Sequence, residues 1–120
     1  MKNSEHNGFH VHVYFNEHNI NCAVALTEAL YQAFGFEIGN INTKPIGPHP
    51  VWSRQVSFRK DDYQAVFQWL EANRSDLSIL IHPLTEDEYR DHTESAVWLG
   101  KYILINNINS IHVFIYYKKK

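Results

Sequence analysis

Three histidines fall where extended chain segments can bring them together. His10 and His12 alternate within FHVHVYF, residues 9–15, and His82 ends LSILIH, residues 77–82. Imidazole nitrogens bind divalent metals at ~2.0–2.1 Å. Every second side chain of a strand stands on the same face, ~6–7 Å from the last, so His10 and His12 share a face. A third ring from a strand ~4.8 Å away completes a set that can converge on one ion. Three protein ligands leave coordination positions open, which suits a metal that must admit a substrate. A lone His-x-His on a strand is also an ordinary exposed polar face; the third histidine changes the reading. Eight histidines stand against one cysteine in 120 residues. Any metal must therefore be held through nitrogen and oxygen, and a cysteine-rich zinc site is excluded. The same count excludes an intrachain disulfide and fits a reducing cytoplasm, the expected location.

Periodicity gives the elements that must position these rings. In residues 9–15, Phe9, Val11, Val13 and Phe15 lie on one face, with His10, His12 and Tyr14 on the other. Cys22 to Phe36 places Val24, Leu26, Leu30, Ala33 and Phe34 at helical spacing, with Asn21 as N-cap and Gly35 as the stop. Phe36 to Asn42 is a short strand, and Thr43 to Pro50, with three prolines and Gly47, is a loop. Val51 to Phe58 alternates again, with Trp52, Arg54, Val56 and Phe58 on one face. Asp61 to Asn73 is a second helix, its Val66, Phe67, Trp69 and Leu70 inward and its two aspartates in the first turn, where the dipole favours them. Leu77 to His82 is a strand. Thr85 and Glu88 match a capping box, predicting a third helix to about Leu99 that ends at Gly100. Two extended pieces follow, Tyr102 to Ile105 and Ile111 to Tyr117.

Strand–helix–strand–strand–helix–strand is the βαββαβ order of an α+β, ferredoxin-like fold. The expected sheet order is 4-1-3-2, antiparallel, with both helices on one face and a C-terminal helix and extended segment appended. Residues 1–120 read as a single domain. In that topology the end of the fourth strand lies beside the start of the first. His82 then neighbours His10 and His12 on the face the helices leave free.

The other candidates are weaker on spacing alone. His49 sits in Gly47-Pro48-His49-Pro50, where two prolines can fix a displayed ring, and His92 lies within the third predicted helix. His6 and His18 fall in polar segments, and His112 in the last strand. Cys22 is expected to be a buried bystander, and Trp52, Trp69 and Trp98 core or interface aromatics. The composition, 44% hydrophobic and 20% charged with net charge -2, suits a globular chain and argues against a nucleic-acid partner. No apolar stretch reaches the ~20 residues of a membrane span, and the polar segment from Met1 to Gly8 does not read as a signal peptide. Lys118 to Lys120 form a basic tail, expected to aid solubility.

Three segments together resemble a known family: FHVHVYF, GPHPVW, and IHPLTEDEYRDHTESAVWLG. In this order they are similar to the DOPA 4,5-dioxygenase family of small aromatic ring-opening dioxygenases, over about Phe9 to Leu104. The resemblance implies a ferredoxin-like fold, often dimeric. It implies extradiol cleavage of a catechol such as L-DOPA by O2 at a mononuclear non-haem metal, expected to be Fe(II), with zinc or another divalent ion in its place as an alternative. Carried over, His10 and His12 match the HxH strand, His82 the IHP strand end, His49 the GPHP loop and His92 the DHT helix. The stretch Val113 to Lys120 runs past the expected family core.

Extradiol cleavage asks for a metal with adjacent open positions, where both catechol oxygens bind beside O2, and for a proton donor. Most such iron sites use two histidines and a carboxylate. Here either His10, His12 and His82 hold the metal alone, or Glu86, Asp87, Asp91 or His49 completes the shell; the three-histidine set is preferred. His49 and His92 are then acid/base groups, since imidazole titrates near neutral pH. Arg54 is a candidate partner for a substrate carboxylate, and Tyr14, on the histidine face, a second substrate contact. A homodimer is expected, because an open sheet face and 14% aromatics leave apolar area to cover. The rival readings are a non-catalytic metal- or small-ligand-binding module on the same fold and a structural zinc protein whose shell a fourth histidine closes.

Overall fold

A computed structural model describes residues 8–47 and 49–103. Strand β1 (Gly8–Phe15) leads into helix α1 (Ile20–Phe34), followed by the short strand β2 (Glu37–Ile38) and strand β3 (Trp52–Arg59). A 3-10 turn (Lys60–Asp62) precedes helix α2 (Tyr63–Asn73) and strand β4 (Ser78–Pro83). A one-turn helix α3 (Glu88–Asp91) and strand β5 (Val97–Leu99) complete the described chain. The strands form one antiparallel sheet in the order β2-β3-β1-β4-β5. The first four reproduce the ferredoxin-like 4-1-3-2 order, and β5 extends it beyond β4.

The alternation in β1 sorts the two faces. Val11, Val13 and Phe15 join Ala23, Leu26 and Leu30 of α1, Val66 and Leu70 of α2, and Ile79 and Ile81 of β4 in the main core. Burying a side chain of this size stabilises the fold by about 1.5–3 kcal/mol, so this face fixes the register. A one-residue slip would put the histidines under the helices. The opposite face carries a smaller apolar cluster around Tyr14 and Leu80, with Val51, Ala96, Trp98 and Ile103 packed on it. Towards the Gly8 end of β1, that face carries the histidines.

Several expected boundaries shift. Helix α1 starts at Ile20, two residues before Cys22, so Asn21 lies in its first turn. The chain turns into it through Asn16, whose side-chain oxygen accepts from the backbone N–H groups of His18 and Asn19. Cys22 is exposed rather than buried, since it falls on the solvent side of that turn. Gly35 ends the helix at φ 76°, and its N–H donates to the Tyr31 carbonyl. Asp61 and Asp62 occupy the 3-10 turn rather than α2 itself.

The largest correction is the third helix, which does not run from Thr85 to Leu99. Thr85 is no N-cap: its hydroxyl donates to Asp91 at 2.6 Å, and Asp87 takes the capping role by accepting from the Arg90 N–H. The helix stops after one turn at His92, and Val97–Leu99 pairs with β4, aligning Trp98 with Leu80. Gly100 ends a strand, at φ 83°. The expected extended pieces beyond Ile103, the C-terminal basic tail, His6 and His112 lie outside the described residues. Among the described residues, no helix is long and apolar enough to cross a membrane.

Candidate metal centre

Strands β1 and β4 align His10 directly with His82, and His12 is the next residue along on the same face. The rings of His10 and His82 are 5.4 Å apart between centroids, and those of His10 and His12 5.7 Å. His12 Nε2 lies 2.9 Å from His82 Nε2. Residues outside β1 and β4 add two more rings. Ile46 and His49 exchange backbone hydrogen bonds across a tight turn with Gly47 at φ 54°, presenting His49 to His12 at 4.0 Å between centroids. His92, at the end of α3, lies 4.0 Å from His82 by the same measure. Sequence spacing alone left His49 and His92 off the sheet grid; the folded chain gathers all five rings around one cavity of about 400 Å³.

Two sets of three have ligand atoms within 4.8 Å of one another: His10, His12 and His82, and His12, His49 and His92. Among the described residues, every such set is all-histidine. Asp91, one of the carboxylates considered for the shell, is committed elsewhere: its two oxygens accept from the Thr85 N–H and hydroxyl. This clamp closes the 85–91 loop and seats His92. Asp87 caps α3, whereas Glu86 and Glu88 line the cavity.

The donor chemistry suits a divalent metal. Two nitrogens each ~2.1 Å from an ion and at a right angle are about 3 Å apart, close to the His12–His82 separation of 2.9 Å. His82 Nδ1–H donates to the Pro83 carbonyl at 2.8 Å, which leaves the lone pair on Nε2. Such a second hydrogen bond typically orients a metal-ligating imidazole. Burial also keeps the rings neutral, as ligands must be. It holds His12 well below the usual imidazole value, with the surrounding histidines adding to the effect. Burial and then His92 bring His82 to about 3, against a small opposing effect of the Pro83 hydrogen bond. Burial and the charges of His92 and His10 bring His49 to about 4. His10, more open, is lowered by burial and by His92.

The two expected substrate contacts are placed differently. Arg54 aligns with Val13, so it stands on the helix face, away from the histidines. Its guanidinium donates to the Gly39 carbonyl, to Thr27 Oγ1 and to Glu28, tying β3 to α1. The apolar Val56 and Phe58 on its face already pointed to that side. Tyr14 is on the histidine face but buried, its hydroxyl 2.6 Å from His49 Nδ1. Its ring lines a separate cavity of about 650 Å³. Sequence reading passed over Gln55, which aligns with His12 and lines the histidine cavity. The strand order already expected, with Gln55 opposite in face to Arg54, carried the signal for it.

Comparison with known proteins agrees with this geometry. Residues 9–108 match the model of the Dopa 4,5-dioxygenase family. The chain is 36% identical to DOPA 4,5-dioxygenase of Amanita muscaria, covering 88% of this chain and 50% of that one. It is 37% identical to an uncharacterized 21.2 kDa protein of Botryotinia fuckeliana, covering 78% of this chain and 57% of that one. The chain thus spans about half the length of the curated relatives it matches. A Nostoc punctiforme PCC 73102 protein, solved by crystallography at 1.46 Å and provisionally described as a dioxygenase, superposes with a TM-score of 0.83 at 38% identity. That match covers 88% of this chain and 93% of the other.

Proposed function

The chain belongs to the Dopa 4,5-dioxygenase family, and from that premise we propose that it is a metal-dependent extradiol dioxygenase that opens a catechol ring such as that of L-DOPA. The observation that carries this reading is the close approach of His12 and His82 beside His10, on the sheet face opposite α1 and α2. His10, His12 and His82 are the proposed ligands. A bound Fe(II) would supply adjacent exchangeable positions and a path for electron density from the catechol to O2.

The rest of the chemistry belongs to the chain. His49 and His92 line the same cavity, where one ring would take up a proton from a catechol hydroxyl and the other would offer its N–H to an oxygen of the substrates. Neutral at working pH, His49 keeps one N–H to donate. Ile46 and Leu84 give the cavity an apolar lip, and Gln55 offers an amide in its wall. The reading places the protein in the cytoplasm as a homodimer.

The test is to load the protein anaerobically with Fe(II), add L-DOPA, admit air and watch for a yellow ring-opened product. Failure across a panel of catechols, with metal bound in stoichiometric amount, would instead support the non-catalytic metal-binding module.

A further inference from the structure

We propose that Tyr14 is a positioning residue that holds His49 in the tautomer with its proton on Nε2, making His49 a hydrogen donor and removing it from the ligand set. The functional part of this inference rests on the ring-opening reading; the tautomer does not.

Tyr14 Oη and His49 Nδ1 are 2.6 Å apart. Bonds donated by N–H to oxygen span roughly 2.7–3.2 Å, and this contact is shorter, within the roughly 2.5–3.0 Å of bonds that O–H groups donate to oxygen. The phenol is therefore the donor and Nδ1 the acceptor. A neutral imidazole carries one N–H, so the proton of His49 sits on Nε2. Such a ring has no lone pair left to give: Nδ1 is occupied by the phenol and Nε2 by its own hydrogen.

Two neighbouring rings are pinned the opposite way. His82 Nδ1 faces the Pro83 carbonyl at 2.8 Å, and His92 Nδ1 faces the Glu88 carbonyl at 2.9 Å. Carbonyl oxygens only accept, so both rings carry their proton on Nδ1 and their lone pair on Nε2. The chain thus sorts chemically identical side chains by the partner behind each: a carbonyl makes a lone-pair donor, a phenol makes a hydrogen donor. The second three-histidine set includes His49 and is disabled by this sorting.

The phenol is held in place. Tyr14 is 2% exposed, packs with Leu80, and stacks on Trp98 with ring centroids 5.7 Å apart and planes 19° from parallel. Trp98 comes from β5, so the added fifth strand takes part in fixing the His49 proton.

The test is a long-range 1H–15N correlation spectrum of the full-length, metal-free protein with its histidine rings labelled, near neutral pH. For His49 it should show a protonated Nε2 and an unprotonated, hydrogen-bonded Nδ1, with the reverse pattern for His82 and His92. A protonated Nδ1 in wild-type His49 overturns the proposal, and this reading needs no variant. In Tyr14→Phe the His49 pattern should move toward the other tautomer while His82 and His92 stay as they are; an unmoved His49 also overturns it. With Fe(II) loaded, Tyr14→Phe should keep its metal and lose kcat by roughly 10–100-fold, with KM nearly unchanged. Wild-type kcat in that variant overturns the positioning role. If wild type itself opens no catechol while its spectrum is as expected, the ring-opening reading fails and the tautomer assignment stands.

Discussion

His12 and His82 lie on a diagonal across the β1–β4 ladder, and their Nε2 atoms come within 2.9 Å. Because His82 spends its ring proton on the Pro83 carbonyl, the metal-free contact must be a bond from His12 Nε2–H to the His82 lone pair. Binding a metal there would replace a weak neutral hydrogen bond by two dative bonds and move the His12 ring proton from Nε2 to Nδ1, with no net release of a proton.

Single substitutions of His10, His12 and His82 by alanine should each lower metal affinity by more than the roughly 10–100-fold typical of losing an outer partner. Metal content after gel filtration checks this. Unchanged stoichiometry in all three variants would sink the ligand assignment.

His49→Ala and His92→Ala should keep full metal occupancy and lose about 10²–10⁴-fold in ring-opening rate, the usual contribution of a positioned acid or base. Steady-state turnover with metal analysis on the same samples decides it. Loss of metal from either variant would make that histidine a ligand.

Acid should destabilise the metal-free protein from about pH 6.5 downward. His12, His49 and His82 have folded-state values below the imidazole value of 6.5, to about 4 for His49 and about 3 for His82. Between those values and 6.5 the unfolded chain binds more protons, so stability rises with pH across this window and gains nothing more from these groups above it. His49 alone contributes about 3 kcal/mol of the difference. Urea midpoints at pH 7 and pH 4.5 provide the measurement, and a His49→Gln variant should show a shallower fall. A midpoint that rises on acidification would contradict the assignment.

Gly100→Ala should destabilise the fold by about 2–3 kcal/mol. Gly100 has φ 83°, and an added Cβ would sit 2.9 Å from the Leu77 carbonyl oxygen and 2.7 Å from Arg74 Nη1. The arginine tip can move, but the backbone oxygen of the turn into β4 cannot. Thermal unfolding checks this, and a midpoint within a degree of wild type would refute it.

Sedimentation at micromolar concentration should give a dimer of about 28 kDa, twice the 14.1 kDa chain. A monomer would leave the dimer reading without support.

The central part of this architecture was legible because it rests on strict alternation. FHVHVYF admits one pairing of faces, and the βαββαβ order then sets His82 beside His10. The segment after β4 was not legible for the opposite reason. Thr85 and Glu88 fit a helix start, but that pattern cannot show that Asp91 will take the Thr85 hydroxyl. Three apolar residues, Val97 to Leu99, are too few to display a period of their own. Arg54 stands on the helix face with Val56 and Phe58, a placement that alternation along β3 already carried. His49 and His92 reached the cluster through a tight turn and a single helical turn, and the spacing of strands and helices does not encode either placement.

Within the sheet, β1 is flanked by β3 and β4, and β4 by β1 and β5. The proposed ligands therefore ride on interior strands, whose amides exchange with solvent only when large parts of the fold open. His49 and His92 ride on a tight turn and a one-turn helix, which can open without disturbing the sheet. On the proposed reading, loss of a metal would be tied to the slow, global event, while admission of substrate and movement of protons would be left to fast, local ones.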